Sequence, residues 1–224
     1  MNDKLWDDVD RYISDIFSLS DPILKEVLRA SADAGLPAIQ VTPSQGKFLQ
    51  ILAGAMKARR ILEIGTLGAF STIWLGRALA PDGYLITLES DPKHAEVARA
   101  NIARAGLADR VELILGPALE TLPRLQNEKK GPFDFIFIDA DKTSYPEYFE
   151  WSLKLAHPGT VMVADNVIRK GEVANPKSDD PRVVAVRRFH DLIAAEKRVT
   201  ATALQTVGSK GYDGFTMVLV EEGP

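Results

Sequence analysis

A chain of 224 residues with 46% hydrophobic and 26% charged side chains is long enough for one large domain with a full apolar core, and its composition is that of an ordinary globular protein. A formal net charge of −4 without any long Lys/Arg block argues against a nucleic-acid partner. The absence of cysteine excludes disulfides, thiolate metal sites and cysteine nucleophiles, and it fits a reducing, cytoplasmic setting.

In chain order, residues 3–19 carry Leu5, Trp6, Val9, Tyr12, Ile13, Ile16 and Phe17 at helical spacing, with acids on the other face. This predicts an amphipathic helix that packs on its own domain or on a second subunit. Its acids argue against membrane-surface binding, the stretch MNDKLWDDVD lacks the layout of a signal peptide, and no apolar run approaches the roughly 20 residues of a membrane span. Ser20-Asp21-Pro22 reads as a cap and start for a second helix, to about Gly35, and Pro43 opens a third, to about Lys57. From residue 60 strands and helices alternate. Strands are expected at 61–66, 84–90, 111–116, 133–140 and 160–166, with helices between them and a turn at 157–159. The stretch 167–180 is too long for an ordinary connection, which marks it as a functional loop. A helix follows over 182–196. Two strands without a helix between them close the chain, joined across 208–213 as an antiparallel pair. Such alternation predicts an α/β fold with a mostly parallel sheet and helices on both faces.

Ligands of open α/β sheets bind at the carboxyl ends of the strands, and those ends carry the chemistry here. The run 133–138 stops at Asp139, Ala140, Asp141 and Lys142. The run 160–164 stops at Asp165 and Asn166. If the two strands are neighbours, three carboxylates, an amide and an ammonium meet in one crevice. The first strand ends in LEIGTLGAFS. There Gly65 permits close backbone approach, and the turn into the next helix offers N–H groups, with Ser71 as an extra donor, to a small carboxylate such as that of an amino acid. Glycines fall only at 65 and 68, so the spacing is not GxGxxG and a pyrophosphate is disfavoured. Glu89, ending the second strand, suits two ribose hydroxyls. Glu63 either orders the glycine loop or faces a ligand's amine. Ala118 follows Gly116-Pro117, where a backbone N–H can meet a base edge.

Taken together, LEIGTLGAFS, the strand ending in Glu89, GPALE, FDFIFIDADK and VMVADNV resemble the cation-dependent, S-adenosylmethionine-dependent O-methyltransferases of the catechol and caffeoyl-CoA type. The likeness covers roughly residues 38–166 well and the ends more loosely. It implies a Rossmann-like class I methyltransferase fold over 1–224. Residues 1–57 supply extra N-terminal helices and 58–224 the core, a seven-stranded mostly parallel sheet closed by an antiparallel C-terminal strand. It also implies roles. Val41, Glu63, Gly65, Ser71, Glu89, Ala118 and Asp139 match cofactor-binding positions. Asp139, Asp165 and Asn166 match ligands of a divalent cation, Mg²⁺ first and Mn²⁺ or Ca²⁺ next. Lys142 matches the general base. The family often forms homodimers.

The chemistry accords with these residues. Methyl transfer from a sulfonium needs an aimed oxyanion. A hard cation held by two carboxylates and an amide leaves positions for both oxygens of a vicinal diol, and a lysine in a dry crevice beside it supplies a base. The alternative for Lys142 is an ion pair with Asp139 or Asp141, whose own role stays open. The substrate side departs from the family. The turn 208–214 is longer than the compact turn of close relatives, and Arg169 and Lys170, just past the cation ligands, are either solvated or meet an anionic group. The phenolic acceptor therefore stays undefined among catechols, hydroxycinnamoyl thioesters and flavonoids. A nicotinamide oxidoreductase lacks its GxGxxG and has no use for Asp165-Asn166, and a silent scaffold would not need this set of polar residues.

Overall fold

The computed structural model describes residues 3–17 and 19–222. Three helices come first, α1 (Asp3–Ile16), α2 (Pro22–Asp33) and α3 (Pro43–Ala55). The second and third start where their caps dictate. Asp21 accepts from the Leu24 N–H at 2.9 Å and Thr42 from the Gln45 N–H at 3.2 Å, and each helix carries proline in its first turn. The first helix ends short of the expected residue 19, and residue 18 lies outside the described residues.

The rest of the chain alternates as expected. Strands β1 (Arg60–Ile64), β2 (Tyr84–Glu89), β3 (Val111–Leu115), β4 (Phe133–Ile138), β5 (Ala156–Asp165), β6 (Val199–Gly208) and β7 (Gly211–Val220) form one sheet in the order β3-β2-β1-β4-β5-β7-β6. Helices α4 (Phe70–Gly76), α5 (Pro92–Arg104), α6 (Ala118–Asn127), α7 (Tyr145–Lys154) and α8 (Pro181–Ala195) connect the strands. The first five strands are parallel, and β7 runs against both β5 and β6. Strand order reverses between β1 and β4, which makes their carboxyl ends the natural crevice of the sheet.

Alternation along β4 explains its apolar run from Phe135 to Ile138. Phe135 and Phe137 enter the core on one face with Ile61, Phe70 and Trp74, while Ile136 and Ile138 enter the other with Leu62, Phe149 and Phe189. A strand covered on both faces favours apolar residues along its length. Each such side chain gains roughly 1.5–3 kcal/mol by burial, whereas an unpaired carboxylate there costs several. Asp134, at the strand's start, is only partly buried and is paired with the Arg59 and Arg60 N–H groups; the next acid, Asp139, comes where the strand leaves the sheet.

Three segments differ from expectation. Residues 156–159 are strand rather than turn, because Thr160 Oγ1 donates to the Phe133 carbonyl at 2.6 Å and accepts from the His157 N–H at 2.9 Å, carrying the pairing across a bulge. The 167–180 loop contains a 3₁₀ turn, Arg169–Ala174, opened by three left-handed residues, Arg169, Lys170 and Gly171, at φ 53°, 58° and 90°. The stretch 208–214 is not a long turn. Gly208 pairs with Gly211, leaving only Ser209-Lys210 between β6 and β7, and Asp10 of α1 fixes that turn by accepting from the Ser209 N–H at 2.8 Å. Among the described residues, no helix is long and apolar enough to cross a membrane.

Gly65 has φ +101°, and a Cβ there would overlap the Asp139 carbonyl, which belongs to rigid backbone. Gly65→Ala is therefore expected to cost about 3 kcal/mol or more in chemical denaturation. Gly54→Ala, in α3 with nothing within 4 Å of the new methyl, should gain up to about 1 kcal/mol. Equal effects would remove the packing reason for Gly65.

Candidate functional site

The loop leaving β1 is built to pass close to β4. Besides Gly65, Leu67 and Ala69 hold left-handed conformations at φ 51° and 67°, a cost that only a fixed surrounding can offset. Glu89 supplies part of it by accepting from the Leu67 N–H at 2.7 Å, and the fully buried Asn101 donates to the Gly68 carbonyl at 2.9 Å. Beneath the loop, Glu63 is fully buried and accepts from the hydroxyls of Ser71 at 2.6 Å, Thr72 at 2.5 Å and Thr87 at 2.6 Å. Burial outweighs these three hydrogen bonds and pushes the Glu63 carboxyl up to about 7. The Ser71 proton is thus committed to Glu63 rather than offered outward. Glu63 orders the first turn of α4. On the other side of the loop, Glu89 Oε1 accepts from the Ser90 and Asp91 N–H groups, both at 2.9 Å.

At the ends of β4 and β5 the charges sort into pairs. Lys142 Nζ donates to Asp139 Oδ1 at 2.8 Å and to the Tyr145 hydroxyl at 2.7 Å. The Tyr145 oxygen in turn lies 2.8 Å from the Asp165 carbonyl and 3.1 Å from that of Ile138, so its single proton goes to one of these and its lone pair is left for the amine. The lysine side chain is only 10% exposed. Asp141 does not pair with Lys142. It accepts from Tyr148 and Ser144, both at 2.5 Å, and from Thr143 at 3.2 Å, which accounts for an acid that had no role in the sequence. Asp165 is 5% exposed and accepts from the Asn166 N–H at 2.8 Å. Burial first, and the Asp139 carboxylate second, push its carboxyl up to about 7.

Two carboxylates and one amide oxygen form a hard donor set of the kind divalent magnesium or calcium prefers, and a dication between Asp139 and Asp165 would invert the repulsion that raises Asp165. The residues therefore fit such an ion. Among the described residues, no group of three or more His, Cys, Asp or Glu side chains converges on one point, so this mixed set is the candidate the fold supplies.

Two cavities meet here. The first, about 750 Å³, is lined by Gly65, Ser71, Glu89 and Ala118 on one side and by Asp139, Lys142 and Asn166 on the other. The second, about 640 Å³, is lined by Asp165, Asn166 and Gln45, the stacked pair Phe48 and Phe215, and the Ser209-Lys210 turn. Ile39, Gln40, Val41, Asn166 and Arg169 wall both. Of the cofactor, cation and base positions singled out in the sequence, all but Glu63 line one cavity or both, and Lys170 lines neither. The sequence reading missed Tyr145 and Tyr148 as polar partners, Asn101, and the threonines on Glu63. Tyr145 was findable, since it follows Lys142 by one helical turn. Asn101 was not, because nothing local ties it to Gly68, 33 positions earlier.

Comparison with known proteins identifies the family of the chain. The O-methyltransferase family matches residues 14–220. A catechol O-methyltransferase of Niastella koreensis is 52% identical over 221 residues, covering 99% of this chain and all of that one. One from Mycobacterium tuberculosis is 54% identical over 213 residues, 95% of each chain. The crystal structure of an O-methyltransferase from Bacillus cereus in complex with SAH superposes with a TM-score of 0.96 at 59% identity, covering 98% of this chain and 100% of that one.

Glu63 gives a pH signature. The unfolded chain ionises it near its ordinary value of 4.5, the folded chain only near 7. Between those values the folded state holds more protons, so stability is full below about pH 4.5, falls as pH rises to about 7 and then levels. Asp165 acts in the same direction. Thermal denaturation in EDTA should show this slope, and Glu63→Gln should flatten it. A slope unchanged in Glu63→Gln would contradict the assignment.

Proposed function

The chain belongs to the O-methyltransferase family, and from that premise we propose that it transfers a methyl group from S-adenosylmethionine to one hydroxyl of a catechol-like diol, with a divalent cation on Asp139, Asp165 and Asn166 and Lys142 as general base. Its activity is S-adenosylmethionine-dependent O-methyl transfer. The observation that carries the finer reading is the meeting of the two cavities at Asn166, with the Asp139–Lys142 pair on the wall of a nucleoside-sized space and Asp165 on the wall of an aromatic-lined one.

In this reading the first cavity takes the cofactor. Glu89, whose Oε2 keeps a lone pair beyond its one backbone donor, receives the ribose hydroxyls. The loop at Gly65 and Ser71, with Val41 across from it, receives the methionine end, and Ala118 lies at the base. Glu63 supports the loop from below. The second cavity takes the phenol, between Phe48 and Phe215 on one side and Asp165-Asn166 on the other. A bound dication would supply charge stabilisation for the diol oxygens, Mg²⁺ being the first choice for an all-oxygen set. Methyl transfer is an in-line displacement at an already activated carbon, so the chain's work is to aim one oxygen and take its proton. Lys142 takes that proton. Asp139 and the Tyr145 hydroxyl fix where its nitrogen stands, which keeps the base from wandering out of line.

The chain is read as one catalytic unit in the cytoplasm, with no nucleic-acid or membrane partner and a second copy as its partner. Leu5, Val9, Tyr12 and Ile16 on α1 are 46–63% exposed, and β6 is a ten-residue edge strand without a single charge, exposed along nearly its whole length. Such an edge is ordinarily protected by charges or covered. Sedimentation should report a mass of twice 24.6 kDa; a monomer at micromolar concentration would remove the dimer.

The activity is tested with labelled S-adenosylmethionine and a panel of catechols, with and without EDTA. Transfer that EDTA abolishes and Mg²⁺ restores is expected. Asp165→Ala should abolish turnover while calorimetry finds cofactor affinity nearly intact, and equal loss of both would break the division between cavities. Lys142→Ala should lower kcat by about 10² or more, the usual range for a general base. A near-normal rate would reduce Lys142 to an ion-pair partner of Asp139.

A further inference from the structure

The second cavity carries two cations that the transfer chemistry does not use. Lys210 stands in the two-residue turn between β6 and β7, and that turn is fixed from outside by Asp10. The residue is exposed at the turn's tip, but its ammonium end reaches along the cavity wall to the Ala38 carbonyl at 3.2 Å. Burial there pushes its pKa down, while the Asp139 and Asp165 carboxylates act on it from a distance. Among the described residues, no carboxylate comes within 4 Å of it. It therefore keeps two of its three N–H donors for something else.

Arg169 stands at the mouth between the two cavities, at φ 53° in the strained turn just after Asn166. Its nearest carboxylate is Asp213, a loose 3.8 Å away. The Oδ1 of that carboxylate accepts from the N–H groups of Ile168, Arg169 and Gly214, and the oxygen facing the guanidinium is Oδ2, beyond hydrogen-bond distance. The Arg169 Nε has no partner at all. A left-handed backbone on a non-glycine residue and an unsatisfied buried donor both cost free energy, so the fold holds this guanidinium at the cavity against its local preference. The remaining acids of the wall are accounted for. Asp10 is on the Ser209 N–H, and Asp165 is on the opposite side with Asn166.

The cavity thus has the oxygen donors Asp165 and Asn166, an aromatic pair in its wall, and two under-used cations, Lys210 on the β6–β7 turn and Arg169 on the wall shared with the first cavity. We propose that Lys210 and Arg169 make this enzyme selective for aromatic diols that carry a carboxylate on the ring system away from the two hydroxyls. The inference rests on the second cavity being the acceptor site. It narrows the substrate class from neutral catechols to catecholic acids. Charge-assisted hydrogen bonds to a carboxylate are the strongest contacts such a wall offers, and losing one removes about tenfold in affinity or more.

The test uses the full chain with S-adenosylmethionine and Mg²⁺ and compares 3,4-dihydroxybenzoate with its methyl ester, a pair differing only in the anion. The intact enzyme should prefer the acid by about tenfold or more in kcat/KM. Lys210→Gln should lower kcat/KM for the acid about tenfold more than for the ester, through KM, and Lys210→Arg should restore most of the preference. Arg169→Gln should act in the same direction. Equal rates on acid and ester in the intact enzyme would overturn the proposal. So would an equal loss on both in Lys210→Gln, which would make Lys210 a neutraliser of the acids at the ion site. If hydroxycinnamoyl-CoA is preferred to both, the cations serve a phosphate and the proposal also falls. Should neither diol be methylated, the transfer reading fails. The cavity is then decided separately by calorimetry of the acid with S-adenosylhomocysteine and Mg²⁺: binding that weakens in Lys210→Gln upholds it, and binding that does not change refutes it.

Discussion

The backbone after β1 passes so close to the backbone after β4 that no side chain fits between Gly65 and the Asp139 carbonyl. This contact lies where the strand order reverses. It is maintained by the pairing of Ile64 with Ile138 and by the hydrogen bond from the Asp139 N–H to the Ile64 carbonyl at 2.9 Å. Everything at the site hangs from it. The glycine loop is thrown outward over the first cavity, and Asp139 emerges beside it already aligned with Lys142. Were the strands to separate by even the width of a methyl group, the loop and the carboxylate would lose their common frame.

Around that contact the chain places more negative charge than it neutralises. Lys142 answers Asp139, and Asp141 is occupied by Tyr148 and Ser144, but Glu63 and Asp165 both hold their protons well above the ordinary range because burial disfavours the anion. The two raised acids have different meanings. Glu63 is surrounded by hydroxyls and lies outside both cavities, so its proton belongs to the architecture of the loop. Asp165 faces the second cavity with Asn166 beside it, so its charge is open to change by what binds. A single fold thus separates a structural acid on β1 from a responsive one on β5, with β4 between them.

Much of this was legible in the sequence, and for a physical reason. Strands covered on both faces are mostly apolar, so the stops at Asp139 and Asp165 mark strand ends, and ligands of open parallel sheets bind at such ends. The proline-led helices at Pro22 and Pro43 were readable from their caps for the same local reason. What could not be read depended on partners distant in the chain. The 208–214 stretch looks like a long turn until Gly208 and Gly211 are seen to pair with Asp10 bracing the tip. The 157–159 turn becomes strand only because Thr160 reaches Phe133. Asp141 had no visible role because its partner Tyr148 lies on α7 and nothing in the sequence aims the nearby Thr143 and Ser144 hydroxyls at it, and Ser71 looked like a ligand donor because Glu63, eight residues earlier, gave no sign of claiming its proton.

The proposed placement of cofactor and acceptor in the two cavities that meet at Asn166 is tested most directly by a crystal structure with S-adenosylhomocysteine, Mn²⁺ and a catecholic acid, using the anomalous signal of the metal. The expected result is the ribose on Glu89 in the first cavity, one anomalous peak bridging Asp139, Asp165 and Asn166, and the diol between that peak and Lys142. A metal peak on other residues, or an acceptor bound outside the second cavity, would contradict it.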